Sequence, residues 1–186
     1  MHDNILELGS HMDTQIPNIK AKTVACGKHH SMIIDFDDNV WSYESNNYGQ
    51  LGLGDDLSER GNPILVPNVK ARAIACGGFH SMIIDFENNV WSCGYNLDGE
   101  LGLGDIQNRH VLTQIPNIKA KMVACGELHS LIVDLEGNVW SCGNNENGQL
   151  GLGDIQNRLE PTQIPNIKAN AIACGPNYSL LIGFRF

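Results

Sequence analysis

The chain has 186 residues, of which 42% are hydrophobic and 18% charged, and its formal net charge is −9. This length can bury a substantial core in one domain. No apolar run approaches the ~18 residues of a membrane span, and no secretion signal is recognisable, so we expect an intracellular protein that does not bind membranes. The negative charge argues against nucleic acid, because duplex binding needs a face rich in Lys and Arg.

A sequence repeat of about 50 residues recurs along the chain. Each copy predicts four strands, which we call A to D in chain order. Residues 1–17 read as strands C and D of a partial unit. Three complete units follow, and the last segment reads as strands A and B. The complete units and the last segment are residues 18–67, 68–116, 117–165 and 166–186. No stretch keeps a 3.6-residue apolar period, so the predicted class is all-β.

The second unit shows the strand signals most clearly. Strand A ends at Ala75-Cys76-Gly77, and strand B is the apolar run of residues 81–86. Glu87-Asn88-Asn89 has hairpin chemistry, because Asn tolerates positive φ. Strand C is residues 90–93, and a Gly-rich loop precedes a short outer strand D, where edge positions accept proline. The six cysteines recur at equivalent positions, which favours buried thiols over disulfides.

These motifs together resemble one known repeat. Residues 75–105 carry Ala-x-Gly-x-x-His-Ser, then Asn-Val-Trp-Ser-x-Gly, then Leu-Gly-Leu-Gly-Asp, and this combination is similar to the repeat of the regulator of chromosome condensation family. The resemblance implies a propeller-type array of four-stranded antiparallel blades. The family's propellers are seven-bladed, whereas this chain has about four blade equivalents.

The two ends of the chain offer complementary strands. N-terminal strands C and D are expected to complement C-terminal strands A and B, because propellers often close in this way and so protect strand edges. A small closed ring, an open arc and a homodimeric ring formed by exchange of terminal strands all remain open.

Three repeated side chains invite a chemical interpretation. His30, His80 and His129 each follow a cysteine by four residues. A metal site is disfavoured, because zinc needs about four clustered ligands and the fourth copy has Tyr178 instead. We expect each histidine to hydrogen-bond within its own blade, each Trp to pack between blades, and the Gly-rich loops to be structural. The serine after each histidine should point to the opposite face, which is poor geometry for a nucleophile and base.

No catalytic residue, metal site or cofactor site is therefore expected. The leading hypothesis is a non-enzymatic scaffold for an unidentified protein partner, because loops vary on the constant strands. The alternatives are guanine-nucleotide exchange or regulation of a small GTPase, which the resemblance implies, and a repeat fragment without independent function. The candidate partner-binding residues lie in or beside the variable loops: Tyr43, Glu44, Asp56, Glu59, Arg60, Arg109, His110 and Arg158.

Overall fold

The computed structural model describes residues 5–7, 14–16 and 19–185, and every regular element among them is a β-strand. The all-β prediction is confirmed, and no helix of the described residues could cross a membrane. The strands are β1 (Ile5–Glu7), β2 (Thr14–Ile16), β3 (Ala21–Cys26), β4 (His30–Asp35), β5 (Asn39–Glu44), β6 (Arg60–Lys70), β7 (Ala73–Cys76), β8 (His80–Ile84), β9 (Asn89–Gly94), β10 (Arg109–Cys125), β11 (His129–Asp134), β12 (Asn138–Gly143), β13 (Arg158–Cys174) and β14 (Ser179–Arg185).

These strands form antiparallel blades in chain order. β3 to β6 make the first blade, and β7, β8, β9 and the first half of β10 make the second. The rest of β10, β11, β12 and the first half of β13 make the third, after which β13 pairs with β14. Strand D was predicted as short, but in β10 and β13 it continues into strand A of the next blade. Asn68, Asn117 and Asn166 have φ of 57–58° at these crossings, a conformation that Asn tolerates.

The predicted hairpin chemistry is confirmed between strands B and C. Asp38 and Asn88 have φ of 67° and 66°, and Gly137 takes the same place with 93°. In the second hairpin the Asp85 carboxylate accepts hydrogen bonds from the Asn89 backbone N–H at 2.8 Å and from the Trp91 indole N–H at 2.8 Å. Each tryptophan therefore anchors its own hairpin.

The core lies between successive blades. Met32, Ile34 and Val40 of the first blade pack with Ile83 of the second, and Trp91 lies against this cluster. A second cluster joins the second and third blades, where Trp140 has the same place, and a third joins β12 and β13 to β14. The predicted packing of tryptophan between blades is confirmed for Trp91 and Trp140, whereas Trp41 packs against Ile33 and Tyr43 of its own blade. Burial of the apolar faces between blades stabilises the array.

The N-terminal strands pair with each other, as strands C and D should, but not with the C-terminal ones. β1 pairs with β2 in a separate sheet, and β14 has only β13 as a partner among the described strands. The expected complementation within one chain is thus not formed among the strands that the structure describes. The complete blades pack in series along the chain.

Candidate functional site

The array has two faces, which we call the loop face and the hairpin face. Strand A ends and strand C ends at the same edge of each antiparallel blade, so the A–B and C–D loops emerge together on the loop face. The B–C hairpins and the D-to-A crossings lie on the hairpin face. In the second blade the Tyr95 N–H donates to the Phe79 carbonyl at 2.9 Å, which joins the two loops of that blade.

A buried hydrogen-bonded chain links each blade to the next. His30 Nε2 lies 2.8 Å from Ser81 Oγ, and Ser81 Oγ donates to the Gln50 carbonyl at 2.8 Å. The prediction that each histidine bonds within its own blade is therefore wrong, because β4 presents its histidine to the serine of the following blade. The equivalent chains run from His80 to Ser130 to Glu100 and from His129 to Ser179 to Gln149.

This geometry does not activate the serine as a nucleophile. The single Ser81 hydroxyl proton is donated to a carbonyl, so His30 must donate to Ser81 through its Nε2–H. The basic nitrogen of His30 is therefore Nδ1, which has no hydrogen-bond partner among the described residues. Burial, with a smaller contribution from neighbouring histidines, lowers the pKa of His30 to about 4 and that of His80 to about 3. The rings are neutral at pH 7 and join the blades.

The inner ends of the A strands line a groove of about 400 Å³. Adjacent A–B loops bond across it, with the Lys28 N–H donating to the Gly77 carbonyl at 3.1 Å. A Cβ at Gly77 would lie 2.6 Å from the Gly126 carbonyl oxygen, so this close approach requires glycine. Burial raises the pKa of the Cys76 thiol to about 12. The Cys76 thiol on the groove wall is therefore neutral at pH 7, and a neutral thiol is a poor nucleophile and a poor metal ligand.

Four of the eight predicted partner-binding side chains, Asp56, Arg60, Arg109 and Arg158, hold their own loops together. Arg60 bonds Asp56 at 2.5 Å, and hydrogen bonds from Ser58 and Arg60 lower the pKa of Asp56 to about 2. Arg109 and Arg158 bond Asp105 and Asp154 in the same way, at 2.5 Å and 2.6 Å. His110 lies 3.3 Å from Asp55 of the first loop, and Glu59 is exposed. The eight candidates are spread over three blades.

Tyr43 and Glu44 fill the space that, at the equivalent position of the next blade, is occupied by the C–D loop of the preceding blade. Tyr43 is buried against Ile33. Glu44 has φ of 77° where the other copies have glycine, and its carboxylate accepts a hydrogen bond from Ser31 at 3.1 Å. At the equivalent Gly94, a Cβ would lie 3.2 Å from Gln50 of the preceding loop. The pair therefore covers the outer side of the first blade.

The structure brings together four rings that the sequence analysis did not connect. We call His29, Tyr48, Phe79 and Tyr95 the aromatic cluster. His29 stacks on Phe79 with centroids 5.1 Å apart, and Tyr48 meets the edges or faces of Phe79 at 5.4 Å and Tyr95 at 5.0 Å. The cluster crosses the junction of the first and second blades on the loop face. Tyr48, Phe79 and Tyr95 are half-buried, and His29 is exposed.

Glu100, close to the cluster, is the one acidic residue at a position where the other loops have glutamine. Its Oε2 accepts from the Asp98 N–H at 3.1 Å, but its buried Oε1 has no partner. Gln149 instead donates its amide to Asn144 at 2.7 Å. Burial raises the pKa of Glu100 to about 8. Burial, Glu100 and Asp98 raise the pKa of Tyr95, which shows that these carboxyl groups lie within electrostatic range of the ring.

The sequence marks three of these residues only because they differ from the residues at the equivalent positions of another repeat. Tyr48, Phe79 and Tyr95 stand where the third repeat has Asn147, Leu128 and Asn144. That comparison marks unusual positions, but it does not show that they meet. They come from different loops of two blades, and only the packing of those blades brings them together.

The family model of the Regulator of chromosome condensation (RCC1) repeat matches residues 37–84, 87–133 and 136–182, and a second model of this repeat matches residues 71–100 and 121–149. Each longer match begins at a hairpin and covers strands C and D of one blade with A and B of the next. The sequence repeat and the blade are therefore out of phase. None of the curated proteins matches the chain significantly.

Several solved structures are similar to the chain. Yeast RCC1 (Prp20) bound to Kap60 has a TM-score of 0.84 and 27% identity, over 94% of this chain and 44% of that one. Prp20p from Saccharomyces cerevisiae, described with its binding to Gsp1p and histones, has a TM-score of 0.84 and 25% identity, over 94% of this chain and 46% of that one. Human WBSCR16 has a TM-score of 0.83 and 22% identity, over 94% of this chain and 48% of that one, which is a likeness of fold. This chain spans less than half the length of these three. With three repeats matched by the family model, the chain belongs to the regulator of chromosome condensation (RCC1) repeat family.

Proposed function

We propose that the chain is a non-enzymatic, intracellular scaffold that binds a protein partner through the aromatic cluster. One observation carries this proposal: four rings from separate loops meet at one junction, on blades whose internal bonds are otherwise repeated. Tyrosine and phenylalanine supply large contact areas and are enriched at protein interfaces. His110 and Glu59, expected from the sequence, stand on the same loop face and belong to the proposed rim.

Site-specific photo-crosslinking tests this proposal. p-Benzoylphenylalanine replaces Tyr48 in one variant and Asn147, the equivalent residue of the third repeat, in another. Cells expressing each variant are irradiated, and crosslinked proteins are identified by mass spectrometry. We expect a partner that is captured from position 48 and competed by excess native chain. Equal capture from both positions, or none from position 48, contradicts the proposal.

Regulation of a small GTPase is the second candidate. The likeness to Prp20p, whose structure is described with its binding to Gsp1p, favours it. Release of a fluorescent GDP analogue from a Ran-type GTPase is the test. Acceleration of at least about tenfold by the chain supports exchange activity, and an unchanged rate removes this candidate.

Self-association through the terminal strands is a further part of the proposal. β14 has a free edge among the described strands, and it exposes Leu180, Ile182 and Phe184. Exposed apolar edges favour pairing with another chain, and a second copy offers β1 and β2. Light scattering should give the mass of a dimer, whereas a monomer at all concentrations contradicts strand exchange.

A further inference from the structure

Acidic and basic side chains divide unequally between the two faces. The loop-face segments are residues 27–29, 44–60, 77–79, 94–109, 126–128, 143–158 and 175–178. They carry ten acidic and four basic side chains. The hairpin-face segments are residues 19–22, 35–39, 66–73, 85–89, 115–122, 134–138 and 164–171. They carry seven of each. The excess negative charge of these segments is therefore confined to the face that bears the aromatic cluster.

The chain already uses the basic side chains of the loop face. Arg60, Arg109 and Arg158 pair with aspartates of their own loops. Lys28 reaches across the second blade to Glu127 at 2.6 Å. Glu100 is largely neutral at pH 7, because burial raises its pKa to about 8. The remaining loop-face carboxyl groups have no Lys or Arg partner in the part of the chain that the structure describes: Glu44, Asp55, Glu59, Asp98 and Glu146. The face thus carries negative charge that its own cations do not balance.

The aromatic cluster itself has the chemistry of a cation site. The Lys28 ammonium lies 5.8 Å from the Phe79 ring centroid, so one cation of the chain already approaches these rings. The Asp98 carboxylate acts electrostatically on Tyr95 from beside the cluster. A guanidinium group stacks on aromatic rings and bonds carboxylates at the same time, whereas an ammonium acts as a compact point charge. Rings and unbalanced carboxylates together favour arginine.

We propose that the aromatic cluster binds an arginine-bearing basic segment of a partner protein. This inference rests on the proposed function and gives the partner a definite chemistry. The guanidinium stacks on the exposed parts of Tyr48, Phe79 and Tyr95, while the acidic loop face attracts the segment. Charge complementarity of this kind accelerates encounter and excludes acidic partners.

Fluorescence anisotropy tests the inference with a labelled (Gly-Arg)5 peptide and the full chain. A (Gly-citrulline)5 peptide has nearly the same shape without the charge. The test variant combines Tyr48→Asn, Phe79→Leu and Tyr95→Asn, which are the residues of the third repeat and leave the net charge unchanged. The control variant is Phe86→Leu, which removes an exposed ring from the hairpin face and also matches the third repeat, where Leu135 stands.

We expect the arginine peptide to bind the native chain and the Phe86→Leu variant equally. The triple variant should bind it at least about tenfold more weakly, and the citrulline peptide should not bind. Retained affinity in the triple variant, or equal binding of both peptides, overturns the inference. A partner crosslinked at position 48 through a segment without arginine would overturn this inference and leave the proposed function intact. Arginine-peptide binding without any crosslinked partner would do the reverse.

Discussion

The junction of the first and second blades and that of the second and third share their interior but differ at their surface. In both, a neutral histidine donates to the next blade's serine, which donates to a loop carbonyl: His30 to Ser81 in one, His80 to Ser130 in the other. These bonds span about 50 residues of sequence and join blades that pack through apolar faces.

The loop face of the two junctions has different chemistry. The positions of Tyr48 and Tyr95 at the first junction are occupied by Asp98 and Asn144 at the second, where Asn144 and Asn157 donate to Asp98 at 3.4 Å and 2.7 Å. The interior bonds are needed wherever two blades meet, so they recur. The aromatic rings are not needed for that packing, so their presence at one junction points to recognition.

Gly94→Ala should have the largest effect on stability. The φ of Gly94 is 111°, and a Cβ would lie 2.4 Å from the Phe79 carbonyl oxygen. We expect a loss of about 3 kcal/mol or more in the free energy of unfolding, measured with urea. Glu44→Ala is the matched control, since that position already carries a Cβ, and should cost less than about 1 kcal/mol. Equal costs at the two positions would contradict the comparison.

Ser130→Ala should rank second. It leaves the Nε2–H of His80 buried without a partner and the Glu100 carbonyl with only the weak Cys142 thiol contact at 3.7 Å, at a cost of about 2 kcal/mol. Ser31→Ala should cost less, because Ser31 bonds the half-buried Glu44 and not a histidine of another blade. Urea unfolding compares the two variants. If Ser31→Ala costs as much as Ser130→Ala, the bond between blades has no special weight.

Glu100→Gln should change how stability depends on pH. The carboxyl group titrates near its ordinary pKa of 4.5 when unfolded and at about 8 when folded. Its favourable contribution is therefore fully present below about pH 4.5 and is lost as the pH rises through 8. The variant should raise Tm at pH 9 but not at pH 4.5. Gln149→Glu places a carboxyl group at the equivalent position and should lower Tm at pH 9 relative to the parent. If the Tm of Glu100→Gln and that of the parent depend on pH in the same way, the assignment of this titration to Glu100 is refuted.

The triple variant Tyr48→Asn, Phe79→Leu, Tyr95→Asn should have the smallest effect on stability. Its rings make surface contacts that the third repeat does without, so we expect a change of about 1 kcal/mol or less. Thermal unfolding followed by circular dichroism measures it. A loss comparable with that of Ser130→Ala would mean that the cluster holds the blades together, and the difference between the two junctions would then be structural.

The sequence predicted what depends on local pattern. Asn88 at a positive-φ turn and Trp91 between blades follow from turn chemistry and from the period of the repeat. The partner of His80 could not be predicted in this way, because strand alternation tells which face a side chain takes but not which blade lies there. The aromatic cluster was missed for the same reason: Tyr48 and Phe79 occupy different positions of the repeat, and only blade packing makes them neighbours.

Affinity for the partner captured at position 48 measures directly whether the aromatic cluster carries recognition. The native chain and the triple variant are titrated against that partner by isothermal calorimetry, with Phe86→Leu as the control. We expect a loss of at least about tenfold in affinity for the triple variant and no change for the control, with Tm nearly preserved in both. Unchanged affinity in a folded triple variant would contradict the assignment of recognition to the aromatic cluster.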